Sequence, residues 1–280
     1  WSCSISRISR HNPLMSKALL CTVCLCATFT AWAQGNTGGW PVWGGDAGGT
    51  RFSPLREITR ENVDTLQVAW EYHTGDMSDG KGAARAESAF EATPILNDGR
   101  LYVPSPFNKV IALDPETGKE IWKFDPKLDL TQRYANQLTS RGVVYWEDAS
   151  GGGEHPKRIF AATCDGRLIA IDAVTGTLCE NFGSNGAIDL KAGVGNERWI
   201  GEYSITSPPA VAHNVVIVGS AVSDNHRTDA PSGVVRGYNA RSGALLWAFD
   251  LAPPPDKQTG PQQPKSESGY ALGTPNVWAQ

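Results

Sequence analysis

No dense run of Lys or Arg occurs in this chain, and its 29 acidic residues against 25 basic ones leave a formal charge of −4. Without a cationic stripe to neutralise a row of phosphates, the chain argues against a nucleic-acid partner. Long apolar runs are also scarce: the one at 18–30 falls short of the ~20 residues that a bilayer span takes. No Cys/His spacing resembles a zinc site, and His73, His155, His213 and His226 share no ligand spacing. Beyond residue 33 only two cysteines remain, Cys164 and Cys179. They flank an expected hairpin, which leaves open a disulfide in an oxidising compartment or two separate buried thiols.

What is present begins with an export pattern. Residues 1–14 precede the first Met, at position 15, and are expected to be a non-native leader. From Met15 the chain has a positive Lys17, the apolar run 18–30 and the small-x-small site Ala31, Trp32, Ala33. The expectation is a signal peptide over 15–33, cleaved after Ala33, and a periplasmic product, with an uncleaved membrane anchor as the other reading. Residues 34–65 are Gly-rich with Trp40, Trp43, Arg51 and Phe52 interspersed, an irregular lead-in segment. Within it 59–66 is expected to form a short helix with Thr59 as N-cap. A strand around Trp70 is expected over 66–73.

The rest of the chain, 66–280, is organised by a repeat. Residues 112–122 read ALDPETGKEIW, 170–176 read AIDAVTG, and 237–247 read GYNARSGALLW. In the second copy Glu180 stands where the others have Trp. Each copy makes sense as a hairpin, with an apolar strand ending on Asp or Asn, a turn whose Gly takes positive φ, and a returning strand. The Trp on the returning strand can wedge between neighbouring sheets. Four strands fit each unit: 92–96, 101–104, 110–114 and 120–124, then 138–146, 158–163, 167–172 and 177–182, then 206–211, 215–220, 233–239 and 244–250. Residues 253–268 read as a linker, and 269–280 as the opening of a fourth unit.

Four-stranded units somewhat longer than the ~40–45 residues of a common blade indicate an all-β protein, a β-propeller with long loops. A propeller closes on itself to hide its edge strands, so about three to four blades are expected to be the amino-terminal part of a longer protein whose carboxy-terminal half completes the ring. In such a ring the residues just before each first strand and at the ends of the second strands gather at one mouth. That phase selects Glu91, 136–141, Thr206, 220–225 and Asn276, a set suited to a polar anionic ligand and a hard metal ion.

Together, WGGDAGGTRFSPL (43–55), SRGVVYW (140–146), TSPP (206–209), GSAVSDN (219–225) and residues 232–249 resemble the pyrroloquinoline quinone (PQQ) dependent dehydrogenases, in particular the membrane glucose and quinate dehydrogenase type. The resemblance implies an eight-bladed propeller with PQQ at its mouth. By position it implies that Arg141 pairs with a PQQ carboxylate, that Glu91 hydrogen-bonds the cofactor's edge, that Thr206 donates a hydroxyl, and that Trp278 supplies the aromatic floor. Asp224, Asn225 and Asn276 are implied as Ca²⁺ ligands.

The chain departs from the family pattern at several points. Ala135 and Asn136 stand where alcohol dehydrogenases of the family have adjacent cysteines, and Gln137 stands where glucose-type members have His. Gln137 is expected to cover the cofactor ring. The general base is expected beyond residue 280, which would leave this fragment inactive alone. Two functions follow for comparison: a periplasmic dehydrogenase oxidising a sugar, polyol or other alcohol and passing electrons to a quinone or cytochrome, or a non-enzymatic propeller scaffold of the outer-membrane assembly type.

Overall fold

The structure, a computed structural model, describes residues 39–223, 226–252, 257 and 264–278. The expected leader, signal peptide and cleavage site lie outside these residues. Among those described, the chain forms fourteen strands: β1 (Ile95–Asn97), β2 (Arg100–Pro104), β3 (Val110–Leu113), β4 (Glu120–Phe124), β5 (Val144–Glu147), β6 (Lys157–Ala162), β7 (Arg167–Asp172), β8 (Ala187–Asp189), β9 (Tyr203–Ser204), β10 (Ala210–Ala212), β11 (Val215–Val218), β12 (Ala221–Val222), β13 (Val235–Asn239) and β14 (Leu245–Phe249). They make three antiparallel four-stranded sheets, β1-β2-β3-β4, β5-β6-β7-β8 and β10-β11-β13-β14, and a two-stranded ladder between β9 and β12. These are the consecutive blades that the repeat implied.

The core lies between the sheets. Strands β6 and β7 are buried on both faces, because side chains alternate with period two. Ile159, Ile169 and Ile171 face the first sheet, where they meet Tyr102 and Trp122. Phe160, Leu168 and Ala170 face the third, where they meet Val216 and Tyr238.

The three repeat turns superpose in their hydrogen bonds. Asp114 Oδ1 accepts from the Glu116 and Thr117 amides, Asp172 Oδ1 from those of Val174 and Thr175, and Asn239 Oδ1 from those of Arg241 and Ser242. Each turn closes through a glycine at positive φ, Gly118, Gly176 and Gly243, whose N–H reaches the carbonyl of the Asp or Asn. In the first two turns that glycine is also the floor on which an upstream Trp rests. The Trp70 ring covers Gly118, and a Cβ at Gly176 would lie 2.7 Å from the Trp122 ring. Trp70 and Trp122 each donate Nε1–H to the carbonyl after the turn Asp, at Pro115 (3.2 Å) and Ala173 (3.2 Å).

Where Glu180 replaces the Trp, a different group takes over. Arg158, 1% exposed, donates Nη1–H to the equivalent carbonyl, Ala240 (3.0 Å), and to Arg241 O (2.7 Å). Its remaining donors go to His155 O and Asn181 Oδ1, and Trp146 lies under its guanidinium at 5.6 Å. Among the described residues every hydrogen-bond partner of this buried cation is a neutral oxygen, and burial lowers its affinity for its proton.

Several sequence expectations are corrected. The short helix at 59–66 is a turn followed by a single 3₁₀ turn, Val63–Thr65. Thr59 is not its cap: the N-cap position falls on Asn62, and Thr59 Oγ1 accepts instead from the Glu61 N–H in the preceding turn. Residues 66–73 join no sheet among the described residues. They are held instead by side chains, Trp70 on Pro115 and Tyr72 on Glu120. The fourth strand of the second sheet is Ala187–Asp189, not 177–182. After one bridge between Ile171 and Leu178 the chain turns inward to bury Cys179 and Phe182, and a turn at Asn185 and Gly186 returns it to pair with β7.

Cys164 and Cys179 are both free and buried in different clusters, so the reading of two separate thiols holds. Burial pushes the Cys164 thiol up to about 11 and the Cys179 thiol up to about 12. In native protein both are expected to resist alkylation at pH 8 and to react fully in urea. Mass spectrometry after trapping checks this, and a linked Cys164–Cys179 peptide would contradict it.

Candidate functional site

The first strands of the blades begin later than the alternation suggested, at Ile95, Val144 and Ala210. The residues before them have a different task, for they tie neighbouring sheets together at one end. Ser88 bridges Leu138 in parallel, Thr93 N–H binds Arg141 O (3.0 Å), and Arg141 N–H binds Thr206 O (2.9 Å). A further segment extends the series, with Ser220 bridging Val277. Matching positions from consecutive blades therefore meet in space.

Their side chains converge on Arg141. Its Nη2 lies 2.9 Å from Glu91 Oε2, and its Nη1–H donates to Thr206 Oγ1 at 2.6 Å. Thr139 Oγ1 approaches the same Glu91 oxygen at 3.5 Å, and the Trp278 ring lies 5.9 Å from the guanidinium carbon. Below them the floor tightens: a Cβ at Gly142 would touch Pro208 at 3.3 Å and Trp43 at 3.4 Å, and Trp43 in turn carries Arg51 over its ring at 4.5 Å. Thr206 is buried, Arg141 is about one-third exposed and Glu91 somewhat more, a graded opening toward solvent.

The remaining expected residues fall out as follows. Asn276 aims its amide at the backbone of Val222, Oδ1 accepting from its N–H (2.9 Å) and Nδ2 donating to its carbonyl (2.8 Å). Asp224 and Asn225 lie outside the described residues. Their flanks are fixed by a buried ion pair, Arg227 to both oxygens of fully buried Glu202 (2.8 and 3.0 Å), while Ser223 N–H binds Glu202 O. Gln137 does not join the Arg141 group in the cleft that it lines. That cleft is shared with Arg133 and Asn136 of its own segment and with Arg85 of another. His226 packs edge-on against Trp199 at 5.6 Å. Among the described residues no group of three or more His, Cys, Asp or Glu side chains could hold a metal ion.

Two polar residues inside the selected ranges 136–141 and 220–225 were given no role of their own. Thr139 stands behind Glu91, and its carbonyl accepts from Asn108 and from the Cys164 thiol. Ser220 is buried and its Oγ has no hydrogen-bond partner among the described residues, on the wall of a cavity of about 170 Å³ that Ser207 and Val277 also line. An unpaired buried hydroxyl is a cost that a ligand can relieve. Only its phase in the repeat could have marked it from the sequence.

Residues 40–280 match the family described as PQQ: glucose/ethanol/alcohol dehydrogenase, β-propeller domain. The chain belongs to this family. It is 42% identical over 248 residues to a glycerol dehydrogenase large subunit of Gluconobacter oxydans (strain 621H), a match covering 87% of this chain and 32% of the relative. It is 35% identical to quinoprotein glucose dehydrogenase A of Acinetobacter calcoaceticus, covering 86% of this chain and 31% of the relative. Among solved structures, the quinohemoprotein alcohol dehydrogenase from Comamonas testosteroni is similar at 28% identity and a TM-score of 0.62, covering 80% of this chain and 29% of that one. The chain thus spans about a third of the length of these relatives. The match is to dehydrogenases of sugars and alcohols, so this quinoprotein family, rather than a non-catalytic scaffold, accounts for the propeller.

Proposed function

We propose that the whole protein is a periplasmic, membrane-associated quinoprotein dehydrogenase that oxidises a sugar, polyol or other alcohol and passes electrons to a quinone or cytochrome. PQQ would be held at the mouth by Arg141, Glu91, Thr206 and Trp278, and Ca²⁺ by Asp224, Asn225 and Asn276. One observation carries this reading: a guanidinium, a carboxylate, a buried hydroxyl and an aromatic ring from four separate segments meet at Arg141.

The donor set fits the cofactor. Arg141 presents a planar fork suited to a carboxylate, and its remaining N–H groups are available beside the two bound to Glu91 and Thr206. Glu91 keeps that fork in one orientation. Trp278 offers a flat apolar face, and its backbone is pinned by Ser207 Oγ–H donating to its carbonyl. When bound, PQQ supplies a two-electron acceptor for the hydrogen removed from an alcohol carbon. Carboxylate and amide oxygens are the hard ligands that Ca²⁺ takes.

The test is reconstitution of the whole protein with PQQ and Ca²⁺, followed by dye reduction with glycerol, glucose and quinate. At least one is expected to drive PQQ-dependent reduction. Protein that binds PQQ and yet reduces no dye with any of a broad panel of sugars, polyols and hydroxy acids would overturn the reading.

A further inference from the structure

The turn between β2 and β3 sends one buried amide into the next blade. Asn108 stands there at φ 60°, a left-handed conformation that Asn tolerates, and is 3% exposed. The turn itself closes through backbone, since Ser105 N–H binds Lys109 O (2.8 Å) and Asn108 N–H binds Ser105 O (2.9 Å). The side chain is thereby left for longer-range contacts. Its Oδ1 accepts from the Cys164 N–H at 2.7 Å, in the turn between β6 and β7, and its Nδ2 donates to Thr139 O at 3.2 Å and to Pro106 O at 3.5 Å.

Both long-range contacts lead to the Arg141 group. Thr139 lies two residues before Arg141, and its Oγ1 approaches the Glu91 carboxylate. The turn that holds Cys164 presents Thr163 O, which accepts from the Ile205 N–H at 3.3 Å, one residue before Thr206. Asn108 therefore stands behind Glu91, Arg141 and Thr206 together. A planar amide has a fixed spread between its acceptor and its donors, so one side chain sets how the 139–141 segment lies against the Cys164 turn. The Cys164 thiol also donates to Thr139 O, at 3.3 Å, but a thiol is the weaker donor.

Building on the proposed PQQ site, we infer that Asn108 is a positioning residue that fixes the spacing of Glu91, Arg141 and Thr206 for the cofactor. Its bonds run to backbone groups in a closed interior, where losing one leaves a buried polar atom unsatisfied, so the joined segments keep a single register. A ligand gripped by several groups at once binds less tightly when their spacing slackens, because the site must then be ordered at the moment of binding.

Asn108→Asp tests this, for it is close in shape and keeps an acceptor for the Cys164 N–H, yet loses the donor to Thr139 O. In the whole protein it is expected to weaken PQQ binding by roughly tenfold in fluorescence titration. Hydrogen exchange read by mass spectrometry is expected to quicken at the Thr93 and Arg141 amides, which tie the mouth together, and not along β3. Cys164→Ala is the control for a role in stability alone. It hollows the buried cluster beside Asn108 and leaves both long-range bonds, which go to backbone, so it should lower resistance to urea and change PQQ affinity by less than about twofold. Unchanged PQQ affinity in Asn108→Asp, or an equal loss in Cys164→Ala, would overturn the assignment. Should the wild type bind no PQQ, the cofactor reading fails while exchange still decides the role of Asn108. Faster exchange at Thr93 and Arg141 in Asn108→Asp but not in Cys164→Ala supports it, and equal exchange in all three proteins ends it. If Asn108→Asp does not fold, Asn108→Gly keeps the left-handed turn, removes both bonds and carries the same expectations.

Discussion

Arg141→Ala is expected to lower PQQ affinity by roughly 10- to 150-fold, the range corresponding to the ~1.5–3 kcal/mol of a hydrogen bond to a charged group. The side chain serves two purposes in the structure, and both vanish together. It brings the only guanidinium within reach of Glu91 and Thr206 among the described ion pairs and hydrogen bonds, and it balances the Glu91 carboxylate, 2.9 Å away. Without it an anionic ligand would meet Glu91 alone. Arg141→Lys keeps the charge and loses the planar fork, so it should recover part of the affinity. Fluorescence titration with PQQ measures both, and an alanine variant that binds as tightly as wild type rules out the carboxylate role. Far-ultraviolet circular dichroism should be unchanged, because the Arg141 backbone links to Thr93 and Thr206 do not involve the side chain.

The largest effect on stability is expected from Trp122→Ala, about 3–5 kcal/mol, as for other buried Trp truncations. Its ring is 8% exposed, lies 5.8 Å from Tyr102 and rests on Gly176, and its indole N–H satisfies the Ala173 carbonyl. Truncation opens a cavity between the first two sheets and removes one of the two donors to that carbonyl, leaving only the Tyr102 hydroxyl at 3.1 Å. Urea denaturation followed by circular dichroism gives the loss, and a change below about 1 kcal/mol, the scale of a surface substitution, would show that the docking ring is not what joins the sheets. Glu180→Trp is not expected to add the converse stabilisation. Arg158 already occupies the equivalent carbonyl at Ala240, so a new ring would have to displace a buried cation with five oxygen partners.

Much of this was legible before any coordinates. The Asp or Asn, the Gly and the Trp of the repeat each have a local reason to be where they are, so the turns and the inner three strands of every blade could be placed from spacing. The Glu91, Arg141 and Thr206 set was found by phase, because blades repeat their geometry. The failures share a cause: residues 66–73 satisfy strand alternation yet join no sheet among the described residues, residues 177–182 meet β7 for a single bridge before 187–189 takes its edge, and alternation cannot say which neighbour a segment keeps. Gln137 illustrates the same limit. Its place in the chain is four residues from Arg141, and extended backbone carries it out into the cleft with Arg85 and Arg133.

Local sequence by itself determined the blades, since a turn that caps its own amides and a strand of period two need no distant partner to be specified. Tertiary structure decided what lies between blades. It determined that a buried Arg158 does the work of a missing Trp, that the Ser220 hydroxyl has no partner among the described residues, and that two arginines from separate segments open onto one cleft. Those outcomes depend on which surfaces meet across long loops, and no short-range pattern in the chain encodes that meeting.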